Sequence, residues 1–269
     1  MSATIYKHEF RTHLRSVINW SVALILIILI YAYFFATFSE QAAVLNDALK
    51  NFPPQLRAAF GLDKVDMSTV LGYFSFIFMF VQLCIAIQAS YYGFGLVSIE
   101  EAELTADFLL SKHVSRTQVL TSKLLAAISS LLITDLVVWV TSYISIAIFS
   151  AGHEYDARTF ILLQLSILIF QLFFLVVGLV ISLLVRRVRS VTPYALGLGF
   201  GAYVLNAFSG MLGDVKLELI TPFKHFDTAY IVKTGGYDTP LVLLNVAVIL
   251  VAVAASYWLY IRRDIPSVS

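Results

Sequence analysis

The sequence predicts an all-α integral membrane protein, and its composition and the spacing of its apolar residues carry that prediction. Of 269 residues, 59% are hydrophobic and only 13% are charged, with a mean hydropathy of +0.86. In soluble domains about a quarter of the residues are usually charged, so this chain has too few charged residues to build a polar shell. A disordered chain is also excluded, because disordered segments are poor in apolar residues.

Six apolar runs are each long enough to cross a bilayer, which takes about 20 mostly apolar residues in a helix. They cover residues 17–38, 70–97, 124–150, 160–185, 191–212 and 241–261. No polar stretch between them is long enough for a soluble domain, so we predict one transmembrane domain over residues 1–269. The first run is too long for the core of a cleaved signal peptide and is read as a retained span.

The positive charges predict the orientation. With a cytoplasmic N-terminus, eleven of the 18 Lys and Arg residues fall on the inner side and seven on the outer side. The contrast is sharpest between the inner run 186–189, which has three arginines, and the outer turn 153–156. Cytoplasmic loops carry the excess of positive charge, so both termini are predicted to be cytoplasmic.

The residues before the first span have a helical pattern of their own. One face carries Tyr6, Phe10, Leu14 and Val17, and the neighbouring face carries Lys7, Arg11 and Arg15. This pattern predicts an amphipathic helix in the inner headgroup layer, with its cations toward lipid phosphates. The alternative is an N-terminal extension of the first span.

The inner connection between spans two and three predicts two short helices joined at residues 111–114. Ser98 with Glu101 and Ser115 with Gln118 each fit a capping box. Acidic residues favour the first turn of a helix, where the dipole attracts anions. The first predicted helix also has an apolar side that needs a partner, formed by Leu104, Phe108, Leu109 and Leu110.

This connection resembles the first cytoplasmic loop of ABC-2-type transporter permeases. The matching positions are Glu100, Glu101, Thr105, Leu109, Leu110, Ser111, Val114, Ser115, Arg116 and Lys123. The departures are Leu104, Asp107 and His113, where the family commonly has Gly, Glu and Pro. Residues 52–61, 219–227 and 260–264 also resemble the family's segments in the same order, so the resemblance covers nearly the whole chain.

The resemblance implies a partner. Such permeases pair with a cytoplasmic ATP-binding-cassette ATPase and usually work as two permeases, identical or different, mostly as exporters in a bacterial cell membrane. This chain has no G-x-x-x-x-G-K-[ST] phosphate loop, so it is expected not to be an enzyme, with ATP and Mg²⁺ on the partner. The expected ATPase-coupling residues are Glu100, Glu101, Glu103, Leu104, Thr105, Phe108, Leu110, Ser111, Val114, Ser115 and Arg116. The alternative is that the three acids are solvated capping residues.

Polar residues within the spans are the other candidates for function. Asp135 is the one charged residue placed well inside a predicted span, where a charge is costly. It lies on a translocation path or permease interface, or is a protonated carboxyl bonded to a neighbouring helix. Gln82, Gln88, Gln171 and Asn206 either bond helices together or contact substrate. Gly197 and Gly201 form a G-x-x-x-G pattern that favours close helix packing.

Other classes of function find little support. The net charge of +1 does not suggest a nucleic-acid binder, and the single Cys84 excludes an internal disulfide and a Cys-based zinc site. The five histidines are not spaced as metal ligands, and nothing places a nucleophile beside a base. The remaining alternative to a permease is an ion-coupled secondary transporter that uses Asp135.

Overall fold

The computed structural model describes residues 2–41, 51–54, 57, 65–102, 114–150, 152–185, 188–212 and 216–263, and the regular structure in these ranges is helical. The six long helices are α1 (Ala3–Glu40), α2 (Val70–Ala102), α3 (Arg116–Phe149), α4 (Ala157–Leu184), α5 (Val191–Leu212) and α8 (Thr239–Arg262). Between α5 and α8 lie a 3₁₀ turn (Lys216–Leu219) and the short helices α6 (Pro222–His225) and α7 (Thr228–Thr234).

Within this part of the chain, five helices are long and apolar enough to cross a membrane: α1, α2, α3, α4 and α8. Helix α5 has the predicted bounds, 191–212, but is not among the five. Four glycines, Pro193 and Asn206 dilute its apolar residues. The structure therefore supports five of the six predicted spans, and a crossing by α5 stays a prediction.

Helix α1 continues without a break from Ala3 to Glu40. The predicted interfacial helix is therefore not a separate element, and the alternative of an extended first span describes the observed secondary structure. At 1.5 Å per residue, α1 is roughly 57 Å long, whereas the hydrocarbon core is about 30 Å thick. Much of α1 must then lie outside a bilayer or tilt strongly. Lys7, Arg11 and Arg15 are exposed on its N-terminal part.

Helix α2 lies at the centre of the bundle. It packs against α4, α5 and α1, while α3 packs along α1 and α8 packs along α4. The apolar stretch of α2 is the most buried of the five candidate spans, and those of α1 and α8 are the least buried. The outward faces of α1 and α8 carry large exposed apolar side chains, such as Ile18 and Val251.

Glycines allow α2 to approach its neighbours closely. A Cβ on Gly93 would lie 2.1 Å from the backbone oxygen of Leu175, so the crossing of α2 and α4 requires glycine there. A Cβ on Gly199 would lie 3.0 Å from the backbone nitrogen of Ile87, where α5 meets α2. A Cβ on Gly197 or Gly201 would meet nothing within 4 Å in the described chain. The predicted G-x-x-x-G pair therefore does not form this contact, and the glycine between its members does.

The segment between α5 and α8 returns to the middle of the bundle. The Thr221 hydroxyl donates to the backbone oxygen of Ala202, halfway along α5, at 3.1 Å. The Phe223 ring lies 5.0 Å from that of Phe170, which is roughly 20 Å from either end of α4 at 1.5 Å per residue. We call residues 216–238 the re-entrant segment.

Helix α7 carries the re-entrant segment back toward the start of α4. The Thr228 hydroxyl donates to the backbone oxygen of Ser75, and the Tyr237 hydroxyl donates to that of Leu162. Phe223 and Phe226 are 2% and 1% exposed. Both rings are therefore buried inside the chain and do not face lipid.

Candidate functional site: the connection between α2 and α3 and the polar residues of the bundle

The predicted coupling residues fall partly outside the described structure. Glu103, Leu104, Thr105, Phe108, Leu110 and Ser111 belong to residues 103–113, which lie outside the described ranges. Glu100 and Glu101 are in the last turn of α2, and their side chains are likewise outside the description. Val114, Ser115 and Arg116 are described.

The predicted helix start at Ser98 is wrong. Ser98 lies inside α2, which continues to Ala102, and its hydroxyl donates to the backbone oxygen of Phe94. A serine inside a helix can donate its hydroxyl to the backbone oxygen four residues before it, and a serine can also cap a helix start. The apolar residues before Ser98 extend the second span through the predicted cap, so its helix ends about one turn later than expected.

The predicted capping box at Ser115 is confirmed. The backbone N–H of Gln118 donates to the Ser115 hydroxyl, and the backbone N–H of Ser115 donates to the Gln118 side chain. These bonds satisfy two of the donors that a helix start leaves free. They fix the residue at which the connection 103–115 passes into α3. Val114 packs against buried side chains of the bundle just before the cap.

Arg116 closes the C-terminal end of α8. Its Nη1 donates to the backbone oxygens of Tyr260 at 3.2 Å, Ile261 at 3.1 Å and Arg263 at 2.5 Å. The last carbonyls of a helix have no partners within it, and its C-terminal dipole attracts cations. Arg116 therefore has an intrachain contact, while its predicted part in docking an ATPase stays a prediction.

Arg263 makes the same kind of contact with the C-terminal end of α4. Its guanidinium donates to the backbone oxygen of Leu183 and, at 3.2 Å, to that of Val185 at the end of α4. Two arginines thus link three helix ends: Arg116 joins α3 to α8, and Arg263 joins α8 to α4. The start of α3 is therefore bonded to the end of α8, which is bonded in turn to the end of α4.

A buried ion pair joins the N-terminal part of α1 to α3. Lys123 Nζ lies 3.0 Å from Glu9 Oε1, and the two side chains are 2% and 14% exposed. The backbone N–H of Ser2 donates to the Ser122 hydroxyl at 2.8 Å. The pair was not predicted from the sequence, although Glu9 is the only acid among residues 1–16 and Lys123 belongs to the family-like pattern.

A polar chain continues from this pair into the bundle. The His13 ring stacks on that of Tyr92 at 4.6 Å, and its Nδ1 lies 3.4 Å from the Ser130 hydroxyl. Gln88 Nε2 donates to the Tyr92 hydroxyl at 3.3 Å and to Thr134 Oγ1 at 2.9 Å. Gln88 therefore bonds α2 to α3, as expected for a residue that holds helices together.

The other predicted residues of the bundle are also placed. Gln82 Nε2 donates to the backbone oxygen of Phe226 at 3.1 Å and holds the re-entrant segment against α2. Gln171 of α4 donates to Asp135 of α3. Among the described residues, the side-chain oxygen of Asn206 has no hydrogen-bond partner, although it is buried. The five predicted residues are thus distributed over several helix contacts.

A buried contact missed at the sequence level joins α8 to the re-entrant segment. Asn245 Nδ2 lies 3.0 Å from His225 Nδ1, and the two residues are 0% and 2% exposed. The sequence gives no sign of this contact, because only the return of the re-entrant segment brings the two residues together. Among the described residues, no group of three or more His, Cys, Asp or Glu side chains could hold a metal ion.

Comparison with known proteins extends the sequence resemblance to a family match. A family model described as "ABC-2 family transporter protein" matches residues 3–265, from the start of α1 to beyond the end of α8. No curated protein matches the chain significantly. The match covers nearly the whole chain and every described helix. The chain belongs to the ABC-2 transporter family and is a multi-pass membrane permease of the ATP-binding-cassette class.

Proposed function

We propose that this permease moves its substrate out of the cell and is driven by a separate cytoplasmic ATPase. Membership of the family implies an ATP-binding-cassette partner, and the proposal adds the direction and the coupling. ATP and Mg²⁺ bind to that partner, and this chain contributes no catalytic residue. Two permease copies, identical or different, form the translocating unit in a bacterial inner membrane.

The helices at the two ends of the connection 103–113 support the coupling proposal. On one side the connection follows α2, the central helix of the bundle. On the other side it enters α3 through the Ser115 cap, and Arg116 bonds α3 to α8. A force on the start of α3 would therefore reach α8 through the bonds of Arg116. This is the arrangement that an ATPase docking site requires.

The charges support a cytoplasmic position for this end. Lys123, Arg116 and Arg263 lie where α1, α3, α4 and α8 come together, and positive residues are enriched on the cytoplasmic side. Both termini then face the cytoplasm, and the re-entrant segment enters from the outer side. There it would close the outer mouth of the translocation path.

The outward faces of α1 and α8 are available to lipid and to the second permease copy. Both helices expose large apolar side chains, such as Ile18 at 59% and Val251 at 69%. Apolar surface of this kind is stable against lipid tails or a second apolar helix. The proposal therefore needs no soluble partner for these two faces.

The proposal is tested by purifying the full chain from its native membrane in mild detergent. We expect a stoichiometric ATP-binding-cassette protein to accompany the wild type. The Leu110→Asp variant should fold and reach the membrane but lose this partner and ATP-dependent transport, because a charge replaces an apolar docking side chain.

Asp135→Asn serves as the control and should keep both the partner and transport. Normal partner binding by Leu110→Asp would contradict the coupling proposal. Loss of transport in Asp135→Asn, with the partner still bound, would favour the ion-coupled alternative.

A further inference from the structure

Two helices are joined deep in the bundle by a carboxyl and an amide. Asp135 of α3 and Gln171 of α4 are each 2% exposed, and Gln171 Nε2 donates to Asp135 Oδ2 at 2.5 Å. The other oxygen of each group, Asp135 Oδ1 and Gln171 Oε1, is buried and has no hydrogen-bond partner among the described residues. Buried polar atoms are nearly always bonded, so two such oxygens on one contacting pair call for an explanation.

An ionised carboxylate is poorly stabilised at this position. Within the described ranges, the Asp135 carboxyl has no ion-pair partner and accepts a single hydrogen bond, which comes from Gln171. The adjacent Thr134 is already bonded to Gln88. A charge inside an apolar bundle needs a counter-charge or several donors to offset its lost hydration, and neither is present.

We propose that Asp135 holds a proton on Oδ1 and donates it to Gln171 Oε1. The carboxylic acid then accepts from the amide through Oδ2 and donates to it through Oδ1, which closes a ring of two hydrogen bonds. A single proton satisfies both unbonded oxygens and removes the buried charge. Asp135 is thus a proton-binding residue that joins two helices.

The position of the pair gives the ring a structural task. Helix α3 packs mainly along α1, and α4 packs mainly along α2 and α8, so α3 and α4 share few direct contacts. The ring is a direct polar bond between these two parts of the bundle. Interhelical hydrogen bonds of this kind hold membrane helices in one arrangement.

The proton is tested by infrared spectroscopy of the full chain in lipid nanodiscs, as the difference between wild type and Asp135→Asn. We expect the carbonyl band of a protonated carboxylic acid at neutral pH in the wild type. The band should shift in Gln171→Leu, which removes the hydrogen bonds of the ring. Absence of the band at neutral pH would overturn the proposal. A band removed by added Na⁺ or K⁺ would also overturn it and would indicate a cation site.

Two substitutions of Asp135 test the ring separately from the proton. Asn keeps an acceptor and replaces the O–H donor with N–H, so Asp135→Asn should melt close to the wild type. Asp135→Leu removes both bonds and should melt roughly 2–4 °C lower. Equal losses in the two variants would contradict the ring. These measurements need no ATPase, so they stand or fall independently of the coupling proposal.

Discussion

Several charged residues at the end of the bundle where α3 begins have structural partners within the chain. Arg116 and Arg263 bond to the carbonyls that end α8 and α4, and Lys123 pairs with Glu9. Arg116 is one of the residues that the family resemblance assigns to ATPase docking. A substitution there would disturb the bundle as well as any partner, so loss of activity in an Arg116 variant alone would not identify a docking residue.

At the residue scale, the sharpest prediction concerns the pair of Glu9 and Lys123. Lys123→Met removes the ammonium group that pairs with the Glu9 carboxylate, which lies in a largely buried position. Breaking a buried ion pair in this way costs about 3–5 kcal/mol. We therefore expect a clearly lower melting temperature in detergent for Lys123→Met, and also for Glu9→Gln.

The exchanged pair, Glu9→Lys with Lys123→Glu, should recover part of this loss because it restores opposite charges. Lys7→Met is the matched control, since Lys7 is exposed on the same helix, and it should melt like the wild type. A melting temperature of the exchanged pair below both single variants would show that the two side chains do not stabilise each other.

At the scale of elements, sequence periodicity predicted the long helices well. The starts of α2 at Val70 and of α5 at Val191 agree with the structure, because each apolar run begins directly after polar residues. The cap at Ser115 was predictable because both of its partners lie within four residues of each other. The cap at Ser98 failed because the helix before it extends through it.

The depth of the re-entrant segment could not be predicted from local sequence. Residues 219–227 contain Pro222 and several polar residues, which is typical of a surface loop. Their burial depends on distant partners: Phe170 in α4, Gln82 in α2 and Asn245 in α8. Contacts over such separations leave no periodic signal, and the Glu9–Lys123 pair was missed for the same reason.

The crossing of α2 and α4 gives a prediction for this scale. Gly93→Ala places a Cβ 2.1 Å from the Leu175 oxygen, so the two helices must move apart. We expect it to lower the unfolding free energy by about 1–3 kcal/mol, as overpacking commonly does, measured by thermal unfolding in detergent.

Gly197→Ala is the control for this crossing, because its Cβ meets nothing within 4 Å in the described chain. Alanine forms helices better than glycine, so this variant should be as stable as the wild type or slightly more stable. Equal stability of Gly93→Ala and the wild type would contradict the close crossing.

At the scale of the whole molecule, the two ends of the bundle differ in character. One end holds Arg116, Arg263 and the connection 103–115. The other end carries the turn 152–156 and the ends of the re-entrant segment. A family match over residues 3–265 makes this division meaningful, since a permease must present one end to its ATPase. The positive charges predict which end that is.

The orientation is tested by labelling single cysteines with a membrane-impermeant maleimide, after Cys84→Ser removes the native thiol. Both test positions, Lys7 and Glu154, are exposed. Glu154→Cys should react in intact cells, whereas Lys7→Cys should react only after the membrane is permeabilised. The reverse pattern would place the termini outside, and labelling of both in intact cells would contradict the assignment of spans between them.

The double role of residue 263 affects the order in which the bundle can be completed during synthesis. Its backbone oxygen accepts from Arg116, and its guanidinium donates to Leu183 and Val185. Helices α3 and α4 leave the ribosome long before residue 263 does, so the start of α3 and the end of α4 must wait for these bonds. The ends of α3, α4 and α8 can therefore be joined only after residue 263 has been synthesised, and this end of the bundle is completed late.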